Sequence, residues 1–276
     1  MLIPGLPGDY LAIAVPPSRQ RLGPMSLRPL TAALAAMLLV ATTALADDVS
    51  HWATVNGHQL YYEVHGSGSP ILLLHGGGGS IKSAWTRQIV DFSPTHEVVA
   101  PEQVGNGHTP DVPGPATYGA MTEDTAALLE QMHLKHVDVV GWSDGGIIAL
   151  MLAIRHPDLV RRVVATGANV DPTGLQPKDL ADMRAGKPDP NPTAEKLRQL
   201  WMNRPAPDEL SFDLLKKIHA KVLIMAGDRD EITLEHTLKI YQALPDAQLW
   251  ILPNTGHGTF VDRPDWTDPM VLAFLK

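Results

Sequence analysis

The 276-residue chain contains no cysteine. Its stability therefore cannot rest on disulfides, even in an oxidising compartment, and thiolate metal sites are excluded. Positive charge is also scarce: 22 Lys and Arg face 30 Asp and Glu, a formal net charge of −8. Nucleic acid demands a basic patch, and an anionic membrane surface attracts one, so neither partner is indicated. The apolar run from Leu30 to Leu45, about 15 residues, is too short for the roughly 20 that a bilayer-spanning helix needs. No H-E-x-x-H pair or close His/Asp cluster suggests a metal site. The one glycine-rich loop lacks the Lys-Ser/Thr of a P-loop, and no acidic partner on a second strand supports dinucleotide binding. Internal repeats and low-complexity tracts are absent, and no cofactor is implied.

The amino-terminal region reads as an export signal. From Met25 there is a short n-region with Arg28, then the apolar run, then the small-residue site Ala44-Leu45-Ala46. Cleavage after Ala46 predicts a periplasmic or secreted bacterial protein with no stable membrane association. Residues 1–23 fit neither signal nor domain, as if Met25 were the true initiator. Losing 1–46 removes Arg19, Arg21, Arg28 and Asp9, which brings the net charge to about −10. Residues 47–276 then suffice for one α/β domain.

Beyond Asp47, β-rich runs alternate with helical stretches, the pattern of a mostly parallel sheet. Trp52–Val55 and Gln59–Val64 flank Asn56-Gly57, a two-residue hairpin signal. Ile71–Leu74, Val98–Ala100, Val137–Val140, Arg162–Ala165, Lys221–Met225 and Gln248–Leu252 read as further strands. Helices are expected over Tyr118–Met132, with Thr122 or Thr125 as cap, over Gly145–Arg155, and over Trp266–Leu275. Eight strands flanked by helices result. Residues 170–215 break the rhythm with prolines and charge; following the sixth strand, they are expected to form a short lid over the carboxyl ends of the strands.

Chemistry concentrates at Gly141-Trp142-Ser143-Asp144-Gly145, a G-x-S-x-G element between strand and helix. In such an elbow the serine sits on a tight turn, and the glycines remove side chains that would strike neighbouring backbone. A serine hydroxyl needs a base, and the base an orienting carboxylate, in the chain order serine, acid, histidine. His257, in a glycine-flanked loop after the last strand, is the candidate base. Gly227-Asp228-Arg229-Asp230-Glu231 supplies the acid: Asp230 by its spacing from the glycine, with Asp228 in reserve and Glu231 assigned to the next helix start. Acyl transfer also needs N–H groups aimed at an oxyanion. Asp144, after the nucleophile, offers one; the loop His75-Gly76-Gly77-Gly78-Gly79-Ser80 offers the other, at Gly77 or alternatively Gly78. His75 is expected to hold that loop through local hydrogen bonds.

Over residues 50–276 these elements resemble the α/β-hydrolase superfamily. The elbow with Gly146-Ile147, Gly167-Ala168-Asn169, the Gly227-x-x-Asp230 turn and the Gly256-His257 loop are most similar to the valacyclovirase (biphenyl-hydrolase-like) esterases and neighbouring bacterial lactonases. The resemblance implies an α/β-hydrolase fold, and a role for Asp144 in recognising an amino group on the substrate. One loop departs from the superfamily pattern: Glu102-Gln103-Val104-Gly105-Asn106-Gly107-His108-Thr109 stands where Asp-x-x-Gly-x-Gly-x-Ser is usual. A serine nucleophile disfavours dehalogenase and epoxide hydrolase chemistry, which use aspartate.

The expected reaction is hydrolysis of a small-molecule carboxylic ester or lactone through an acyl-enzyme on Ser143. Asp144, Trp142 and Trp201 are candidate substrate contacts, with Leu200 and Met202 beside Trp201 in the lid. Alternatives are C–C bond hydrolysis or perhydrolysis by the same triad, and a non-catalytic binding protein on a hydrolase scaffold.

Overall fold

The computed structural model describes residues 49–203 and 210–276. The export-signal segment, its cleavage site after Ala46, and residues 204–209 of the expected lid lie outside the described residues.

The chain opens with β1 (Ser50–Val55), β2 (His58–Gly66) and β3 (Ser69–Leu74), then α1 (Ile81–Ala84) and α2 (Thr86–Phe92). Next come β4 (His96–Pro101), α3 (Tyr118–Gln131), β5 (Val137–Trp142), α4 (Asp144–Arg155) and β6 (Val160–Thr166). The expected lid contains α5 (Pro177–Ala185), α6 (Pro192–Asn203) and α7 (Phe212–Leu215). The chain finishes with β7 (Lys221–Gly227), α8 (Leu234–Ala243), β8 (Ala247–Leu252), α9 (Thr259–Asp262) and α10 (Pro264–Phe274).

One eight-stranded sheet results, in the order β1-β2-β4-β3-β5-β6-β7-β8. Asn56 (φ 45°) and Gly57 (φ 90°) turn β1 into β2 with positive φ at both central positions, as a type I′ hairpin requires. From β4 to β8 all neighbours run parallel. Parallel strands are covered on both faces, which explains the unbroken apolar run Ile71–Leu74. Leu72 and Leu74 pack into the layer containing α3 and α4, whereas Ile71 and Leu73 face the layer containing α1, α2 and α10. Helix α4 is buried from Asp144 to Ala153, as expected of a helix apolar nearly all round.

Two expectations are corrected. Helix α3 is capped by Thr117, whose hydroxyl accepts the N–H of Ala120. Thr122 and Thr125 lie inside the helix and donate back to the carbonyls of Tyr118 and Met121. The terminal helix starts at Pro264, where proline suits the first turn, rather than at Trp266.

Parallel topology brings the carboxyl ends of β3, β5, β6, β7 and β8 to one edge. The loops that follow carry His75, Ser143, Gly167, Asp230 and His257.

Candidate active site

Ser143 stands between β5 and α4 with φ 56° and ψ −119°, a conformation that costs a non-glycine residue on the order of 1–3 kcal/mol. Flanking hydrogen bonds hold it there: its N–H donates to the Thr166 carbonyl at 2.8 Å, and its carbonyl accepts from Ile147 at 3.1 Å. A Cβ on Gly145 would lie 2.0 Å from the Leu74 carbonyl oxygen, and one on Gly141 2.2 Å from that of Gly145. The turn is closed so tightly that only glycine fits on either side.

His257 Nε2 lies 2.9 Å from Ser143 Oγ, and its Nδ1 lies 2.6 Å from Asp230 Oδ1. The Asp230 side chain is fully buried and also accepts the N–H groups of Ile232 (3.0 Å) and Gly227 (3.3 Å). Nδ1 therefore carries the proton toward Asp230, leaving Nε2 as acceptor toward the serine. Burial opposes a charged imidazolium, but the hydrogen bond and charge of Asp230, with Glu231 and Asp144 farther off, outweigh it and raise His257 above its ordinary pKa.

The backbone around His257 is built for close approach. A Cβ on Gly227 would meet the Thr255 and Gly256 carbonyl oxygens at 2.1 and 2.3 Å. Asp228 does not reach His257; its Oδ1 accepts the Thr255 N–H at 3.0 Å, and the backbone N–H groups of Asn254 and Thr255 keep its carboxyl below the usual range. The two carboxylates of the turn thus divide the work, one holding the imidazole and the other its loop. Trp142 joins the second task, its indole N–H donating to the His257 carbonyl at 2.8 Å.

Gly77, Asp144, Trp142 and Trp201 all line one cavity of about 280 Å³ together with Ser143 and His257. Asp144 is the first residue of α4, so no carbonyl of that helix can accept its N–H. Its carboxylate is buried and accepts from the Tyr118 hydroxyl (2.7 Å) and the Trp201 indole N–H (3.0 Å). A Cβ on Gly77 would lie 2.3 Å from Asp144 Oδ2 and 2.7 Å from the Trp201 ring. The loop and the elbow touch here, and the indole lies over both.

His75 is buried, places Nδ1 2.8 Å from the Gly76 carbonyl oxygen, and accepts the Gln103 N–H on Nε2 at 3.0 Å. Burial lowers its pKa, consistent with a neutral ring bonded through both nitrogens. Glu102, in the unusual loop after β4, is buried and accepts the Ile81 N–H at 3.0 Å, tying that loop to the start of α1.

Of the expected lid contacts only Trp201 reaches the cavity. Leu200 and Met202 are buried on other sides of α6, because consecutive helical residues point some 100° apart. Sequence reasoning missed Tyr118, Leu175, Met183 and Glu231 as lining residues. An aromatic at a helix start was the only signal for Tyr118; Leu175 sits in an irregular stretch, and Met183 on the short helix α5, where Leu180 is the one buried residue and no apolar stripe marks a face. Among the described residues, no cluster of three or more His, Asp or Glu side chains is disposed to hold a metal ion.

Sheet, elbow and hydrogen-bonded Ser-His-Asp array together define a hydrolase of the α/β class. A family model described as alpha/beta hydrolase fold matches residues 69–206, half of the chain. The chain belongs to that family. It is 27% identical over 246 residues to the human serine hydrolase BPHL, covering 80% of this chain and 84% of that protein. It is 26% identical over 251 residues to a 2-hydroxymuconate semialdehyde hydrolase of Pseudomonas sp. strain CF600, covering 76% and 88%. The solved enol-lactonase of Burkholderia xenovorans LB400 superposes with a TM-score of 0.67 at 21% identity, over 82% of this chain and 99% of that one.

Proposed function

We propose that the protein is a carboxylic ester hydrolase working through an acyl-enzyme on Ser143. The observation that carries this reading is the pair of contacts from one imidazole, Nε2 to Ser143 Oγ and Nδ1 to Asp230 Oδ1. Ser143 Oγ attacks the ester carbonyl carbon as His257 Nε2 takes the hydroxyl proton. The N–H groups of Asp144 and Gly77 receive the developing oxyanion, a contribution worth about 2.7–4 kcal/mol per donor. The tetrahedral intermediate collapses, the bond to the alcohol oxygen breaks, and His257 returns the proton to that oxygen. Water then attacks the acyl-enzyme by the same route, releasing the acid and restoring Ser143. Ser143→Ala should abolish turnover of p-nitrophenyl butyrate; near-wild-type activity in that variant would sink the assignment.

Two carboxylates, Asp144 and Glu231, border the cavity, and among the described residues no Lys or Arg does. This balance supports esters with a positively charged group, such as amino-acid esters, in keeping with the resemblance to valacyclovirase-type esterases. It weighs against C–C cleavage of the anionic dienoate named for one relative, a 2-hydroxy-6-oxo-2,4-heptadienoate hydrolase. An assay with a cationic ester, a lactone and a dienoic diketone side by side ranks the three chemistries. Export through the segment Met25–Ala46 is part of the same proposal; mass spectrometry of protein recovered outside the cytoplasm should find Asp47 as the first residue.

A further inference from the structure

The catalytic cavity, about 280 Å³, is slightly smaller than the ~300–1,000 Å³ typical of pockets enclosing a drug-sized ligand. A second hollow, about 470 Å³, is bordered by α3, the loop before it, and α6. The same two helices border both spaces. On α3, Tyr118 faces the catalytic cavity while Met121 and the capping Thr117 face the second hollow. On α6, Trp201 faces the first and Leu197, one turn earlier, the second. Side chains four apart on a helix have Cβ atoms only ~5–6 Å apart, so the partition runs between side chains that neighbour each other along α6.

Its closure is specific. Tyr118 and Trp201 are joined through the Asp144 carboxylate, and the indole is packed against Gly77 beside Ser143. Polar groups bordering the second hollow are already paired: Glu123 meets Arg155 and His156 at 3.2 and 3.0 Å outside it, and others meet one another. Asp111 meets Lys196 and Thr193 at 2.8 and 3.1 Å; Asp124 meets Asn56 and His58 at 2.8 and 3.1 Å. What they leave open to a ligand is apolar wall, including Val104, Met121 and Leu197.

We infer that Trp201 sets acyl-chain length: its indole closes the catalytic cavity against the second hollow, which would otherwise take the hydrocarbon end of a long acyl group. The inference rests on the ester-hydrolase reading for its substrate class. It makes the wild-type protein a short-chain esterase with a latent long-chain pocket beside it. Loss of the indole joins the two spaces and moves apolar area of the chain out of water, which favours long chains selectively.

The test compares kcat/KM for p-nitrophenyl butyrate and decanoate. Wild type is expected to favour butyrate. Trp201→Ala should raise the decanoate-to-butyrate ratio on the order of tenfold or more, in the range that pocket contacts confer on specificity. Adding Ala120→Trp, at an exposed position bordering the second hollow, should bring the ratio back toward the wild-type value. Equal effects of Trp201→Ala on both substrates would overturn the inference. So would a long-chain gain that survives Ala120→Trp. Trp201→Leu gives a second reading of the same ratio if the alanine variant folds poorly. Labelling of Ser143 by butyl and decyl fluorophosphonates repeats the comparison without ester turnover. If no ester is hydrolysed but the labelling ratio shifts as described, the substrate reading fails and the role of Trp201 stands.

Discussion

Around Ser143 and His257 the decisive contacts are anchored by a buried carboxylate and backbone N–H groups, whereas residues 170–203 carry ion pairs that water reaches. The Asp230 side chain is 0% exposed and holds two backbone N–H groups besides the imidazole. In the segment beyond β6, Lys196 and Asp111 are 26% and 31% exposed, and Lys178 and Asp182 more so. A buried carboxylate bonded to backbone and imidazole together makes a rigid network; exposed pairs contribute roughly 0–1 kcal/mol each. Precision thus resides at the sheet edge and adaptability in the covering segment. Trp201 is the point where they meet, through its hydrogen bond to Asp144.

The contrast can be broken hardest at the carboxylates of one turn. Asp230→Asn should lower kcat for an ester on the order of 10⁴-fold, because the amide no longer enforces the tautomer that leaves Nε2 an acceptor. Asp228→Asn, which disturbs only contacts to the backbone around Asn254 and Thr255, should cost less than tenfold. Equal losses would show that the two carboxylates are not divided as described.

Glycine substitutions separate the two regions by stability. Gly145→Ala puts a Cβ 2.0 Å from the Leu74 carbonyl oxygen and should cost at least ~3–4 kcal/mol in urea unfolding. Gly186→Ala, at the end of α5, meets nothing closer than 3.3 Å and should stay within about 0.5 kcal/mol.

The pH profile tests the array itself. The base must be neutral, so kcat/KM should rise with pH, with a midpoint above the ordinary histidine value of 6.5. A raised folded pKa has the opposite sign for stability: the charged His257–Asp230 pair adds most below pH 6.5, and the gain fades as pH rises through the folded pKa. Thermal unfolding of wild type and His257→Gln across that range should converge at alkaline pH. A difference that grows with pH would contradict the assigned contact.

For the ion pairs of the covering segment a small effect is expected. Lys196→Ala removes the contacts to Asp111 and to the Val112 carbonyl and should cost about 0.5–1 kcal/mol, less in high salt. It should change KM more than kcat, since no reacting atom is touched.

The fold was legible because its signals are local. Ile71–Leu74 announces a buried strand by being apolar throughout, Asn56-Gly57 announces a hairpin, and G-x-S-x-G between strand and helix announces a strained turn. The cap of α3 was misplaced because Thr117, Thr122 and Thr125 are equivalent by residue type, and only the point where the backbone leaves the helix distinguishes them. Glu231 was assigned to a helix start; instead it borders the cavity, and α8 begins three residues later at Leu234 under the cap of Thr233. Tyr118 was missed as a site residue because 26 positions separate it from Asp144 and nothing in its surroundings along the chain marks the contact.

By itself, the order of residues determined the chemical types and their succession: a serine on a glycine-flanked turn, a carboxylate after a later strand, a histidine after the last. Each is a short-range pattern that backbone sterics make recognisable. Tertiary structure settled between Asp230 and its reserve Asp228, and alone decided that the Asp144 side chain bonds Tyr118 and Trp201 and that this one indole of the distant segment reaches the cavity beside Ser143. Those are consequences of five strand ends meeting at one edge beneath a helix from a distant segment, a proximity that spacing along the chain does not encode.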